Sequence, residues 1–99
     1  GAFKEESYVN KLAKYRTKID IADNDIIEIL SKRMIISDKI GKLKKKQNVA
    51  VLQSKRWNEI LGKMILEGKE KGLSEDFVLK IFKAIHQESI NHQNKILNS

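Results

Sequence analysis

Arg33 sits where a helical repeat demands an apolar side chain. Leu12, Tyr15, Ile19, Ala22, Ile26, Ile29, Arg33, Ile36, Ile40 and Leu43 follow alternating steps of three and four, and Arg33 is the one polar member of that seam. A guanidinium in such a place needs an anion, because burying it unpaired is costly. Lys44 lies eleven residues on and, at about 100° per residue, returns to nearly the same azimuth. Arg33, Ser37, Ile40 and Lys44 therefore share one helix face. Ser89 and Gln93 continue the four-residue steps of a later stripe, and Arg56 opens the helix between. Arg16 points roughly 100° away from Arg33, so it cannot easily share a site with Arg33 of its own helix, but in an intertwined dimer it could serve the neighbour's. Singly, each has a plain reading: an arginine near a seam snorkels, and Ser or Gln near a helix end makes a wet face. Together, three helices aim cations and amides at one cavity, with few acids on those faces. That chemistry suits a small dicarboxylate, since arginine forks match carboxylates.

Other chemistries fare worse. His86 and His92 are six apart, which is not the spacing that puts two metal ligands on one helix face, and no third partner is evident. The absence of cysteine removes thiolate ligands and thiol nucleophiles. No Gly-rich phosphate loop is present, and Ser89 near His86 does not make a nucleophilic triad. Trp57 and the phenylalanines read as core.

These residues must be positioned by helices. The chain has no proline, and no glycine falls between Gly1 and Gly41. The seam predicts a first helix from about Glu5 to Lys45, roughly 60 Å long at 1.5 Å per residue. Lys44, Lys45 and Lys46 suit its C-terminal dipole, and Asn48 suits a left-handed stop. Val49 to Leu52 is a short apolar connector. A second helix starts at Gln53 or Ser54, carries Trp57, Ile60, Leu61, Met64 and Ile65 on one stripe, and ends by Gly72. Ser74 caps a third, with Glu75 and Asp76 in its first turn and a stripe of Val78, Ile81, Phe82, Ile85, Ser89, Gln93 and Ile96. The expectation is an all-α fold of three helices in a single domain over residues 1–99. A compact domain of this size has a radius of gyration of only about 13 Å, so one chain cannot cover the long seam. An intertwined helical homodimer follows.

Charge and composition narrow the partners. Lysine and arginine number 20 against 13 acids, a net charge of +7. Aromatics are few and not interleaved with the basic residues, which argues against a nucleic-acid stacking surface. No apolar run is long enough to span a membrane. No signal-peptide pattern is present, and the lack of cysteine fits the cytoplasm. The start Gly-Ala-Phe, without methionine, suggests a piece of a longer polypeptide.

The ordered spacing resembles a known family. Leu12, Arg16, Ile19, Asp20, Asp23, Ile26, Ile27, Leu30 and Arg33, then Ile40-Gly41-x-x-Lys44, Arg56, Gly72-Leu73 and Ser89-x-x-x-Gln93, look like the AroQ-class, all-helical chorismate mutases over about residues 12–93. The resemblance implies intertwined homodimers that rearrange chorismate to prephenate, on the way to phenylalanine and tyrosine. It implies that Arg16 reaches the partner's site, that Arg16 and Arg33 hold the substrate carboxylates with Ser89 assisting, and that Lys44 and Gln93 bond the ether oxygen. Arg56 and Gln53 would line the cavity, and no metal or organic cofactor is implied. Two positions depart from the enterobacterial pattern. Gln53 stands where an aspartate is frequent, and Trp57 where a glutamate meets the substrate hydroxyl. The alternatives are an isochorismate pyruvate lyase, which shares the fold, and a non-catalytic regulatory or interaction domain. Family members are often fused to the first shikimate-pathway synthase, to prephenate dehydratase or to prephenate dehydrogenase, and the synthase is the expected fusion or associated partner here.

Overall fold

The computed structural model describes residues 2–99, with side chains from residue 7 onward. Three helices account for the described chain: α1 (Ala2–Gln47), α2 (Ser54–Glu70) and α3 (Glu75–Leu97). No strand occurs among the described residues, so the all-α expectation holds. The first helix runs slightly past its expected limits at both ends.

The helix stops follow from local chemistry. At the end of α1, Val49 N–H donates to Lys44 O at 2.9 Å and Asn48 N–H to Lys45 O at 3.3 Å. Asn48 between them has φ 55°, the left-handed residue that lets the chain leave the helix. The end of α2 repeats the pattern: Leu73 N–H meets Gly68 O at 2.8 Å and Gly72 N–H meets Lys69 O at 3.2 Å. Here Gly72 takes the left-handed turn at φ 82°. Ser74 caps α3 as expected, its hydroxyl accepting from Phe77 N–H at 3.3 Å. Glu75 and Asp76 follow in the first turn.

The chain divides into two compact units, Gly1–Lys32 and Arg33–Ser99. The first is the N-terminal part of α1. None of its described side chains is buried, and its seam residues Tyr15, Ile19, Ile26 and Ile29 are all more than half exposed. The second comprises the rest of α1 with α2 and α3. The expected α2 stripe, Trp57 through Ile65, is half-buried. On α3, Val78 is buried, Phe82, Ile85 and Ile96 are half-buried, and Ile81 turns to the exposed margin. Val78 is the one buried apolar residue with a branched or larger side chain among those described; Ser37, Ser89 and Gln93 are the buried polar ones. Gly68 explains how α2 meets α3: a Cβ there would come within 2.6 Å of the Val78 side chain.

Polar contacts also tie α3 to the C-terminal part of α1. His92 places Nδ1 2.8 Å from Asp38 Oδ1 and Nε2 3.1 Å from Glu88 Oε1. Lys45 Nζ donates to the carbonyls of Ile96 and Ser99, where the dipole of α3 favours a cation. No described helix is long and apolar enough to cross a membrane.

Candidate active site

Within the second unit, the C-terminal part of α1, the connector and the facing sides of α2 and α3 line a half-open cavity of about 570 Å³. Arg33, Lys44, Gln53, Arg56, Ser89 and Gln93 all line it. Six of the seven residues singled out in the sequence are thus brought together. The seventh, Arg16, belongs to the first unit, where it is exposed.

One end of the cavity is built on Ser89. Its hydroxyl accepts from Arg33 Nη1 at 2.5 Å and from Ser37 Oγ at 2.9 Å. The guanidinium is held by a neutral oxygen rather than a carboxylate, so its charge stays available. Burial, and then the Arg56 charge, pushes Arg33 below the ordinary arginine value. Arg33 and Arg56 thus repel one another, a repulsion that an anion bound between them would relieve.

The other end is built on Lys44. Its ammonium donates to Gln93 Oε1 at 2.9 Å and to Val51 O at 2.6 Å. Taking the amide oxygen of Gln93 leaves the amide N–H group free to donate inward. Burial pushes Lys44 below the usual lysine range. Gly41 sets how closely Gln93 approaches α1, since a Cβ there would sit 3.1 Å from Gln93 Cα. Lys44 also accepts the Val49 amide through its carbonyl, so one residue stops α1, holds the connector and faces the cavity. Gln53 stands on that connector with its amide donating to Ala50 O at 3.1 Å.

Two further residues enter the site. Trp57, which reads as core by periodicity and which the resemblance sets at the hydroxyl position, lines the cavity and stacks on His86, with ring centroids 4.0 Å apart and planes 14° apart. His86, weighed only as a metal ligand or triad member, lines the same wall. Burial, and then the Arg33 charge, pushes His86 below its ordinary value, which favours the neutral ring. That His86 lies three residues before Ser89 is evident in the sequence; its pairing with Trp57 needs the helix packing.

No Asp or Glu lines the cavity, and among the described residues no acid, His or Cys cluster could hold a metal. The arrangement offers three cations, a donor amide and no anion. It can bind a small polyanion, fix its orientation and stabilise negative charge that grows near Lys44. The Ser89 hydroxyl is engaged with Arg33, Ser37 and Met34 rather than with His86, so the two do not form a nucleophile–base pair.

Residues 15–94 match the family described as chorismate mutase type II. The bifunctional chorismate mutase/prephenate dehydratase of Buchnera aphidicola (from Acyrthosiphon pisum) is 31% identical over 89% of this chain and 23% of its own length. The T-protein of Haemophilus influenzae is 25% identical over 90% of this chain and 24% of its own. The chorismate mutase of Methanocaldococcus jannaschii is 25% identical over 86% of this chain and 88% of its own. The chain thus spans about a quarter of the bifunctional relatives and most of the length of the archaeal one. The second activity in those bifunctional names is prephenate dehydratase, whereas the sequence reading had expected a synthase.

Proposed function

The chain belongs to the type II chorismate mutase family, and on that premise we propose that it rearranges chorismate to prephenate in the cavity between α1, α2 and α3. The observation that carries the reading is the acid-free cation set, with Arg33 on Ser89 at one end and Lys44 on Gln93 at the other. Chorismate is a flexible dianion, and its rearrangement is unimolecular and pericyclic. It needs no nucleophile, base or cofactor, only a compact chair-like conformer. Arg33 and Arg56 fix carboxylates and so select that conformer. As the carbon–oxygen bond breaks, negative charge grows on the ether oxygen. Lys44 and the Gln93 amide meet that charge, so they stabilise the transition state more than the ground state.

The site is completed by a second copy of the chain. The supporting observation is the exposed apolar seam, with Tyr15, Ile19, Ile26, Ile29, Ile36, Ile40 and Leu43 uncovered in one chain. In an intertwined homodimer those seams cover each other, and Arg16 of one protomer supplies the further carboxylate contact in the other's cavity. All ninety-nine residues then act as one functional domain, working in the cytoplasm, fused to or associated with another enzyme of the same pathway.

Turnover of purified chorismate, followed by loss of its absorbance with product identification, tests the reading. Prephenate is expected. Unchanged chorismate refutes it, and salicylate formed in a parallel assay on isochorismate would make the chain a pyruvate lyase instead.

A further inference from the structure

One wall of the cavity is left unused by the rearrangement as described: the stacked pair Trp57 and His86. The substrate still has one polar group without a partner. Chorismate carries two carboxylates and an ether oxygen, which the cations and Gln93 account for, and one ring hydroxyl. A hydroxyl both donates and accepts, and a neutral imidazole matches it with one donor and one acceptor nitrogen. The other polar groups of the cavity are largely committed. Ser89 accepts from both Arg33 and Ser37, and the Ser37 hydroxyl is spent on that bond. The Gln93 oxygen is held by Lys44. Gln53 is exposed, and its amide nitrogen is turned back to Ala50 O. His86 makes no hydrogen bond to any described residue, and stacking uses its ring face, not its nitrogen-bearing edge.

Resting on the chorismate reading, we infer that His86 is the specificity-determining residue of the cavity: its imidazole edge takes the substrate's ring hydroxyl, and Trp57 is the plate that orients the ring. No carboxylate is then needed on this wall. Burial and the neighbouring guanidinium of Arg33 keep the imidazole in the neutral form that can accept as well as donate.

Two substrates measured on one protein preparation test this, because any loss of folded protein cancels in their ratio. The substrates are chorismate and its analogue with hydrogen in place of the hydroxyl. His86→Phe keeps an aromatic ring against Trp57 and removes both nitrogens. It should lower kcat/KM for chorismate by about tenfold, the order expected for one lost hydrogen bond, and leave the analogue unchanged. Trp57→Ala should reduce the same discrimination and Trp57→Phe restore it. Equal losses on both substrates, no loss on chorismate, or a selective loss in Gln53→Ala with none in His86→Phe would overturn the assignment. If the unsubstituted chain leaves chorismate unchanged, the functional reading falls and this one with it. If it makes prephenate but the ratio does not move in His86→Phe, only the role of His86 falls.

Discussion

Lys44 carries three tasks, and they separate by experiment. Its ammonium bonds Gln93 and the Val51 carbonyl while facing the cavity. Removing a donor to a developing oxyanion costs on the order of 10²-fold in kcat, so Lys44→Ala should lose at least that much. Lys44→Arg should also be poor, because a planar fork does not replace a point charge in a tight place. Since burial lowers the Lys44 pKa, the cation is lost at lower pH than an ordinary lysine would lose it. The kcat/KM profile, which reports the free protein, should accordingly fall as pH rises toward the lysine range, and begin falling below it. Gln93 does not titrate, and from mildly acidic to neutral pH activity should be nearly flat. Gln93→Glu should change that. Its carboxyl can donate to the ether oxygen only when protonated, and when ionised it neutralises Lys44 at 2.9 Å. Activity should therefore shift toward acid pH; an unmoved profile would remove Gln93 from the ether oxygen.

At the scale of the helices, the connector after α1 depends on Asn48, whose φ of 55° is unfavourable for most side chains. Asn48→Ala should destabilise the chain by about 1 kcal/mol, and Asn48→Gly should be neutral or better, as measured by urea unfolding. Such stops were legible in the sequence because capping is local: Asn48, Gly72 and Ser74 each act within a few residues of themselves. The Arg33, Lys44, Ser89 and Gln93 set was legible because polar residues broke an apolar period. The Trp57–His86 stack was not. Each residue alone looks like ordinary filling of a helix face, and only the packing of α2 on α3 brings rings twenty-nine positions apart into contact. Ser37 lay on the right face in the sequence, but its bond to Ser89 also needed the packing.

At the scale of the whole molecule, the proposed dimer makes a genetic prediction. Arg16 and Arg33 fall in different units of the chain, and the resemblance assigns them to different protomers of one site. Inactive Arg16→Ala and Arg33→Ala proteins, mixed under subunit exchange, should regain activity, because one site of each heterodimer takes both lesions and the other neither. Verified heterodimers that stay inactive would rule out the shared site. Sedimentation gives the companion result: a folded, active monomer at micromolar concentration would leave the exposed seam of α1 without an explanation.

The cavity gathers Arg33, Arg56 and Lys44 with no acid among them, and burial works against two of the three. Reactivity and durability are therefore opposed in this chain. Any dianion that fills the cavity should act as a ligand that tightens the fold, raising the melting temperature with concentration as mass action requires. Conversely, Arg33→Met should give a protein that melts later and catalyses nothing. Selection for robustness alone would erode this cavity, so its cations persist only where turnover is selected.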